Sequence, residues 1–70
     1  MKNLVCYLRT NRRMTQEDLA KEIGVSRQTI NTIENEKNIP TLELAYKISL
    51  FFGLTIEEVF DLKHNIKLSK

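Results

Sequence analysis

Proline occurs once and glycine twice among the 70 residues, tryptophan is missing, and cysteine and histidine appear once each. So few turn formers exclude a small all-β domain, where turns recur about every 8 to 12 residues. Helices must dominate. Cys6 has no partner for an intramolecular disulfide, and with His64 it makes a single Cys/His couple, short of the four ligands of a structural zinc site. Neither residue is credited with a function: Cys6 reads as an inert thiol and His64 as an ordinary solvated side chain. Long apolar runs are also missing. The stretch Leu4 to Leu8 ends at Arg9, shorter than a signal-peptide core and far short of the ~20 residues that span a bilayer. A soluble, cytoplasmic, metal-free protein is expected, without cofactor or small-molecule ligand. Charge of one sign is weak: 11 Lys plus Arg against 9 Asp plus Glu leave +2 and a pI near 8.9, so net charge alone does not claim nucleic acid. No nucleophile–base pair, metal set or phosphate loop supports an enzyme. Glu17, Asp18 and Glu22 read as a solvated face.

What is present is a series of helix starts. Thr15, Ser26, Thr41 and Thr55 each stand at a break in periodicity and read as N-caps, dividing the chain into five helical segments. In Thr15-Gln-Glu-Asp18 and Thr55-Ile-Glu-Glu58 a carboxylate follows the cap by three positions, where it can reach back to the cap's own N–H. The expected helices run from about Asn3 to Arg12, Gln16 to Ile23, Arg27 to Asn35, Leu42 to Phe52 and Ile56 to Asp61. Leu4, Val5 and Leu8 form the inner stripe of the first, with Cys6 off it. Gly24 and Gly53 close the second and fourth in the left-handed conformation. The fourth helix is apolar over most of its circumference, with Glu43 and Lys47 as its charged face, and reads as the central, most buried one. After Asp61 the period changes. Leu62, Ile66 and Leu68 alternate with polar residues, the pattern of a strand.

The second and third segments, joined by Gly24-Val25-Ser26, read as two short helices crossing steeply, with Ala20 small enough to admit the crossing. Leu19, Ala20, Ile23, Val25, Ile30 and Ile33 account for the inner face of this 16–35 unit. On a helical wheel, the side of the third helix opposite Ile30 and Ile33 carries Gln28, Asn31, Thr32 and Asn35, with Arg27 at the flank. That face holds no carboxylate. An ordinary solvated face is filled with Glu and Lys, better helix formers than Asn and Thr. Forked amides match base edges in a DNA major groove, Arg matches guanine, and a threonine methyl can meet the methyl of thymine.

The run from Gln16 through Asn35, with Leu8-Arg9 before it and Asn38-Ile-Pro40-Thr-Leu-Glu-Leu-Ala45 and Phe52 to Phe60 after it, resembles the Cro/CI-type (XRE) family of helix-turn-helix regulators. It is similar in particular to the small stand-alone bacterial members. The resemblance covers about residues 3–62 and implies an all-α, five-helix, lambda-repressor-like DNA-binding domain, with a short C-terminal strand as an open addition. Carried over position by position, it implies that Gln16 bonds a backbone phosphate. Ser26, Arg27, Gln28, Asn31 and Thr32 are implied to reach phosphates or base edges, and Asn35, Lys37 and Asn38 to hold phosphates on the far side. Arg9 and Glu34 match a pair that ties the first helix to the recognition helix. At Glu36 many members have glycine, so the conformation of that loop is left open.

The expectation is one helix-turn-helix domain over residues 1–70, comprising the 16–35 unit and a 62–70 tail. It binds double-stranded DNA sequence-specifically and regulates transcription, most simply as a repressor. A module this small covers only about 600–1,000 Å² of DNA, which favours a homodimer on a two-fold symmetric operator. Leu44, Tyr46, Leu50 and Phe51 exceed what one small core needs, and with the apolar tail positions they read as a dimer surface. The alternative function is an antitoxin that binds DNA and also captures a toxin protein, for which only the tail is available as an extension.

Overall fold

The computed structural model describes residues 2–61. It contains α1 (Val5–Asn11), α2 (Gln16–Ile23), α3 (Arg27–Glu34), α4 (Leu42–Phe52) and α5 (Ile56–Val59). The strand expected over the tail lies outside the described residues, and among those described there is no sheet, only an isolated antiparallel bridge between Asn3 and Phe60. The fold is the all-α, lambda-repressor-like one that the resemblance implies.

The helix starts follow from local chemistry. Thr15, Ser26, Thr41 and Thr55 each take an extended backbone and accept an N–H from three residues on, and both capping boxes close, through Asp18 and Glu58. Each such cap is worth about 1 kcal/mol. The helix ends follow a different rule. Four segments leave in the left-handed region, at Arg13 (φ 58°), Gly24 (φ 88°), Glu36 (φ 60°) and Gly53 (φ 72°). Only two of these are glycine. At Arg13 and Glu36 the backbone closes a full Schellman pair: Arg13 N–H donates to Thr10 and Met14 N–H to Arg9, while Glu36 N–H donates to Ile33 and Lys37 N–H to Thr32. The open question at Glu36 is thereby answered. It adopts the conformation a glycine would take, at a steric cost of about 1–2 kcal/mol.

The core is continuous through all five helices. Val5, Leu19, Ile30, Ile48 and Phe60 are fully buried, with Ala20, Ile23, Ile33, Ala45, Phe52 and Val59 around them. Each large aliphatic or aromatic side chain removed from water contributes roughly 1.5–3 kcal/mol. The most extensive helix–helix contact is between α2 and α3, where Ala20 lies buried and Val25 packs beneath the turn.

Four expectations need correction. Helix α1 starts at Val5 and stops at Asn11 instead of spanning Asn3 to Arg12, because Asn3 caps it from outside and Arg13 leaves in the left-handed region. Leu4, expected on the inner stripe, is 49% exposed. It precedes the helical turn, and its backbone N–H donates to Val59 O instead. Helix α5 is one turn, since Phe60 turns extended to bridge Asn3 while Asp61 N–H donates to Lys2 O. Helix α4 buries only Ala45, Ile48, Ser49 and Phe52. Leu44 and Phe51 pack against the core, whereas Leu42, Tyr46 and Leu50 are exposed.

Candidate nucleic-acid interface

The face expected on α3 exists, and its freedom from acidic groups has a structural cause. Glu34 is the one carboxylate of α3, and its side chain is only 5% exposed. Arg9 grips it bidentately, Nε to Oε2 at 2.7 Å and Nη2 to Oε1 at 3.0 Å, and also donates Nη1 to the Met14 carbonyl. Burial pushes the Glu34 carboxyl upward, but hydrogen bonds from Arg9 and Gln16 and the charge of Arg9 outweigh it and hold its pKa below the ordinary value. The Arg9 guanidinium is raised in turn, first by its hydrogen bond to Glu34. The expected pair of α1 with α3 is present.

From this carboxylate a line of amides runs outward. Gln16, the first residue of α2, donates Nε2 to Glu34 Oε1 at 3.1 Å. Asn31 donates Nδ2 to Gln16 Oε1 at 3.4 Å, and Asn35 donates Nδ2 to Asn31 Oδ1 at 3.1 Å. Three of the expected interface residues are therefore linked to one another. Gln28, Thr32 and Asn38 form a second group that lines one groove between α3 and the loop before α4. Thr32 donates its hydroxyl hydrogen to the Gln28 carbonyl at 2.9 Å, so toward a partner it offers a methyl group and an acceptor.

Ser26, Arg27 and Lys37 are not gathered with these. Ser26 is engaged as the cap of α3, accepting from Thr29 N–H at 3.1 Å and lying 2.9 Å from the Thr29 hydroxyl. Arg27 and Lys37 stand exposed near opposite ends of α3. Their spacing brackets the helix with positive charge.

Two positioning residues escape sequence reading. Asn3 donates Nδ2 to the Ile33 carbonyl at 2.9 Å and accepts the Val5 N–H at 3.0 Å, so it ties the N-terminal segment to the end of α3. An asparagine ahead of an apolar run is its only local signal. Arg12 donates to the Phe51 and Phe52 carbonyls at 3.3 and 3.4 Å. Its guanidinium lies 5.3 and 4.9 Å from the centroids of those rings. It neutralises the negative end of α4.

Among the described residues no group of His, Cys, Asp or Glu is placed to hold a metal ion, and no helix is long and apolar enough to cross a membrane.

Two capped helices around a left-handed glycine, the second presenting amides with its acid turned inward, define a DNA-binding module of the helix-turn-helix class. Residues 7–59 match the helix-turn-helix family, and the chain belongs to its Cro/CI-type (XRE) transcriptional regulators. It is 57% identical over 60 residues to an uncharacterized HTH-type transcriptional regulator of Methanocaldococcus jannaschii, covering 86% of this chain and 91% of the relative. It is 40% identical over 63 residues to the HTH-type transcriptional activator BcrR of Enterococcus faecalis, covering 90% of this chain and 31% of BcrR. A third match is the cryptic phage CTXphi transcriptional repressor RstR of Vibrio cholerae, 38% identical over 60 residues, covering 84% of this chain and 54% of RstR.

Proposed function

We propose that this regulator works as a single helix-turn-helix domain in the cytoplasm, binding double-stranded DNA sequence-specifically as a homodimer and repressing transcription by occluding a promoter. The observation that carries the reading is the outer face of α3, which combines Arg27, Gln28, Asn31, Thr32 and Asn35 with a sequestered Glu34. Gln28 and Asn31 read bases, Arg27 reads a base or anchors a phosphate, and Gln16, Asn35, Lys37 and Asn38 hold phosphates on either side. Ser26 contributes through the helix start it caps, where free N–H groups and the helix dipole favour a phosphate.

Repression is supported by the match to RstR, which is named a transcriptional repressor, while BcrR, named an activator, represents the other mode. The dimer is supported by the small footprint of one copy and by the exposed row Leu42, Tyr46 and Leu50, spaced at four residues along α4. No enzymatic step is assigned to the chain.

Selection of bound sequences from a random duplex library, at stated salt, tests this reading. The expected result is a two-fold symmetric consensus whose half-sites are centred about 10 base pairs or a multiple apart. Recovery of random sequence would overturn it.

A further inference from the structure

The amide line between α2 and α3 has a direction. A carboxylate can only accept, so Glu34 requires Gln16 to turn its NH2 inward and leave its carbonyl oxygen toward Asn31. That oxygen in turn draws the Asn31 NH2 toward it, which leaves Asn31 Oδ1 to accept from Asn35. Three side chains that are each symmetric in shape are thus set in one sense by a single charge, itself fixed by the bidentate grip of Arg9.

We infer that Glu34 is a positioning residue for DNA recognition: it sets which way the carboxamides of Gln16 and Asn31 face, and through them the base preference at the position Asn31 reads. This rests on the reading that Asn31 meets a base. In the set sense Gln16 keeps one N–H for a phosphate, a donor where a flipped amide would offer a repelling oxygen. Asn31 keeps one N–H and one oxygen lone pair, the combination that matches N7 and the N6 amino group of adenine. Held against α1 by Arg9 with its side chain only 5% exposed, Glu34 acts on DNA without touching it.

Glu34→Gln keeps the shape of the side chain and can still accept from Arg9, but it also offers an NH2, so Gln16 is no longer confined to one sense. Gln16→Lys, a change at the protein surface that leaves the ion pair intact, keeps a donor for Glu34 and phosphate and removes the acceptor for Asn31. The free proteins are compared by 15N relaxation of the side-chain amides, and the DNA preference by library selection with Asn31→Ala alongside. In the wild type the Asn31 amide is expected to be ordered, unlike that of exposed Gln28, and to become mobile in Gln16→Lys. The preference for adenine at the Asn31 position is expected to fall roughly two- to tenfold in both variants, the worth of one hydrogen bond.

An Asn31 amide in the wild type as mobile as that of Gln28 overturns the inference. So does an unchanged base preference in Gln16→Lys when Asn31→Ala abolishes that preference, and this result leaves base reading by Asn31 standing. If Asn31→Ala itself leaves the preference unchanged, the premise falls and the inference falls with it.

Discussion

Arg9 of α1 and Glu34 of α3, 25 positions apart in the chain, share two parallel hydrogen bonds at a site where neither side chain exceeds 12% exposure. The pair lies between the ranges known for exposed and buried ion pairs, and losing Arg9 leaves Glu34 desolvated without its counter-ion. Arg9→Ala is expected to cost about 2–4 kcal/mol. For a domain of this size each 1 kcal/mol is about 4–8 °C in Tm. Thermal melts followed by circular dichroism check this, and an unchanged Tm would remove the pair from the account of stability.

The same pair gives stability a pH dependence with a definite sign. Glu34 titrates below its ordinary 4.5, and Asp18 below its ordinary 3.8 because it accepts the Thr15 backbone N–H and hydroxyl interactions of the capping box. Carboxylates lowered in the folded state contribute fully above their unfolded values and lose that contribution as pH falls through the folded ones. Stability should be flat from neutrality to about pH 5 and decline below it. Urea titrations across pH 3–7 measure the slope, and Glu34→Gln is expected to shallow the decline.

Base readers and phosphate anchors separate by what they lose. Gln28→Ala is expected to weaken binding to the selected operator by about 1–3 kcal/mol while barely changing binding to random duplex. Lys37→Ala is expected to weaken both alike and to reduce the salt slope by about one unit. Equal losses on both DNAs for Gln28→Ala would strip it of base reading, and an unchanged slope would strike Lys37 from the contacts.

Left-handed helix exits offer two opposite tests. Arg13 holds φ 58° with a side chain, so Arg13→Gly is expected to raise stability by about 0.5–1 kcal/mol. At Gly24, with φ 88°, a Cβ would meet nothing within 4 Å, so Gly24→Ala should lose about 1 kcal/mol through backbone strain alone. Chemical denaturation decides both, and effects of the reverse sign would mean that the exits relax on substitution.

Leu50 and Tyr46 are 61% and 55% exposed on α4. Leu50→Glu is expected to shift the protein from dimer to monomer at micromolar concentration in light scattering, with little change in the Tm of the monomer. A variant that stays dimeric would move the interface away from α4.

How far the sequence discloses this molecule depends on the range of each interaction. The caps at Thr15, Ser26, Thr41 and Thr55 are legible because donor and acceptor lie three residues apart. The two glycine exits are legible because glycine announces a left-handed residue, while Arg13 and Glu36 adopt the same conformation with nothing in their chemistry to mark it. The limits of α1 and α5 depend on Asn3 meeting Phe60, 57 positions away, and no periodicity encodes that bridge. On α3 the wheel identifies Gln28, Asn31, Thr32 and Asn35 as one face. It is silent on the line from Asn35 to Glu34, because Gln16 enters from another helix.

Arg12 lies over two phenylalanine rings and against two carbonyls of α4, and Arg9 is held by Glu34. Among the described residues Lys47 is also paired, with Glu43, so these basic side chains are engaged within the protein and fewer are left to hold phosphate. Encounters with random duplex should be correspondingly brief, since nonspecific binding is almost wholly a matter of phosphate neutralisation. On the proposed reading, such a regulator explores DNA by many short visits, and its residence at a site is set by the amides of α3.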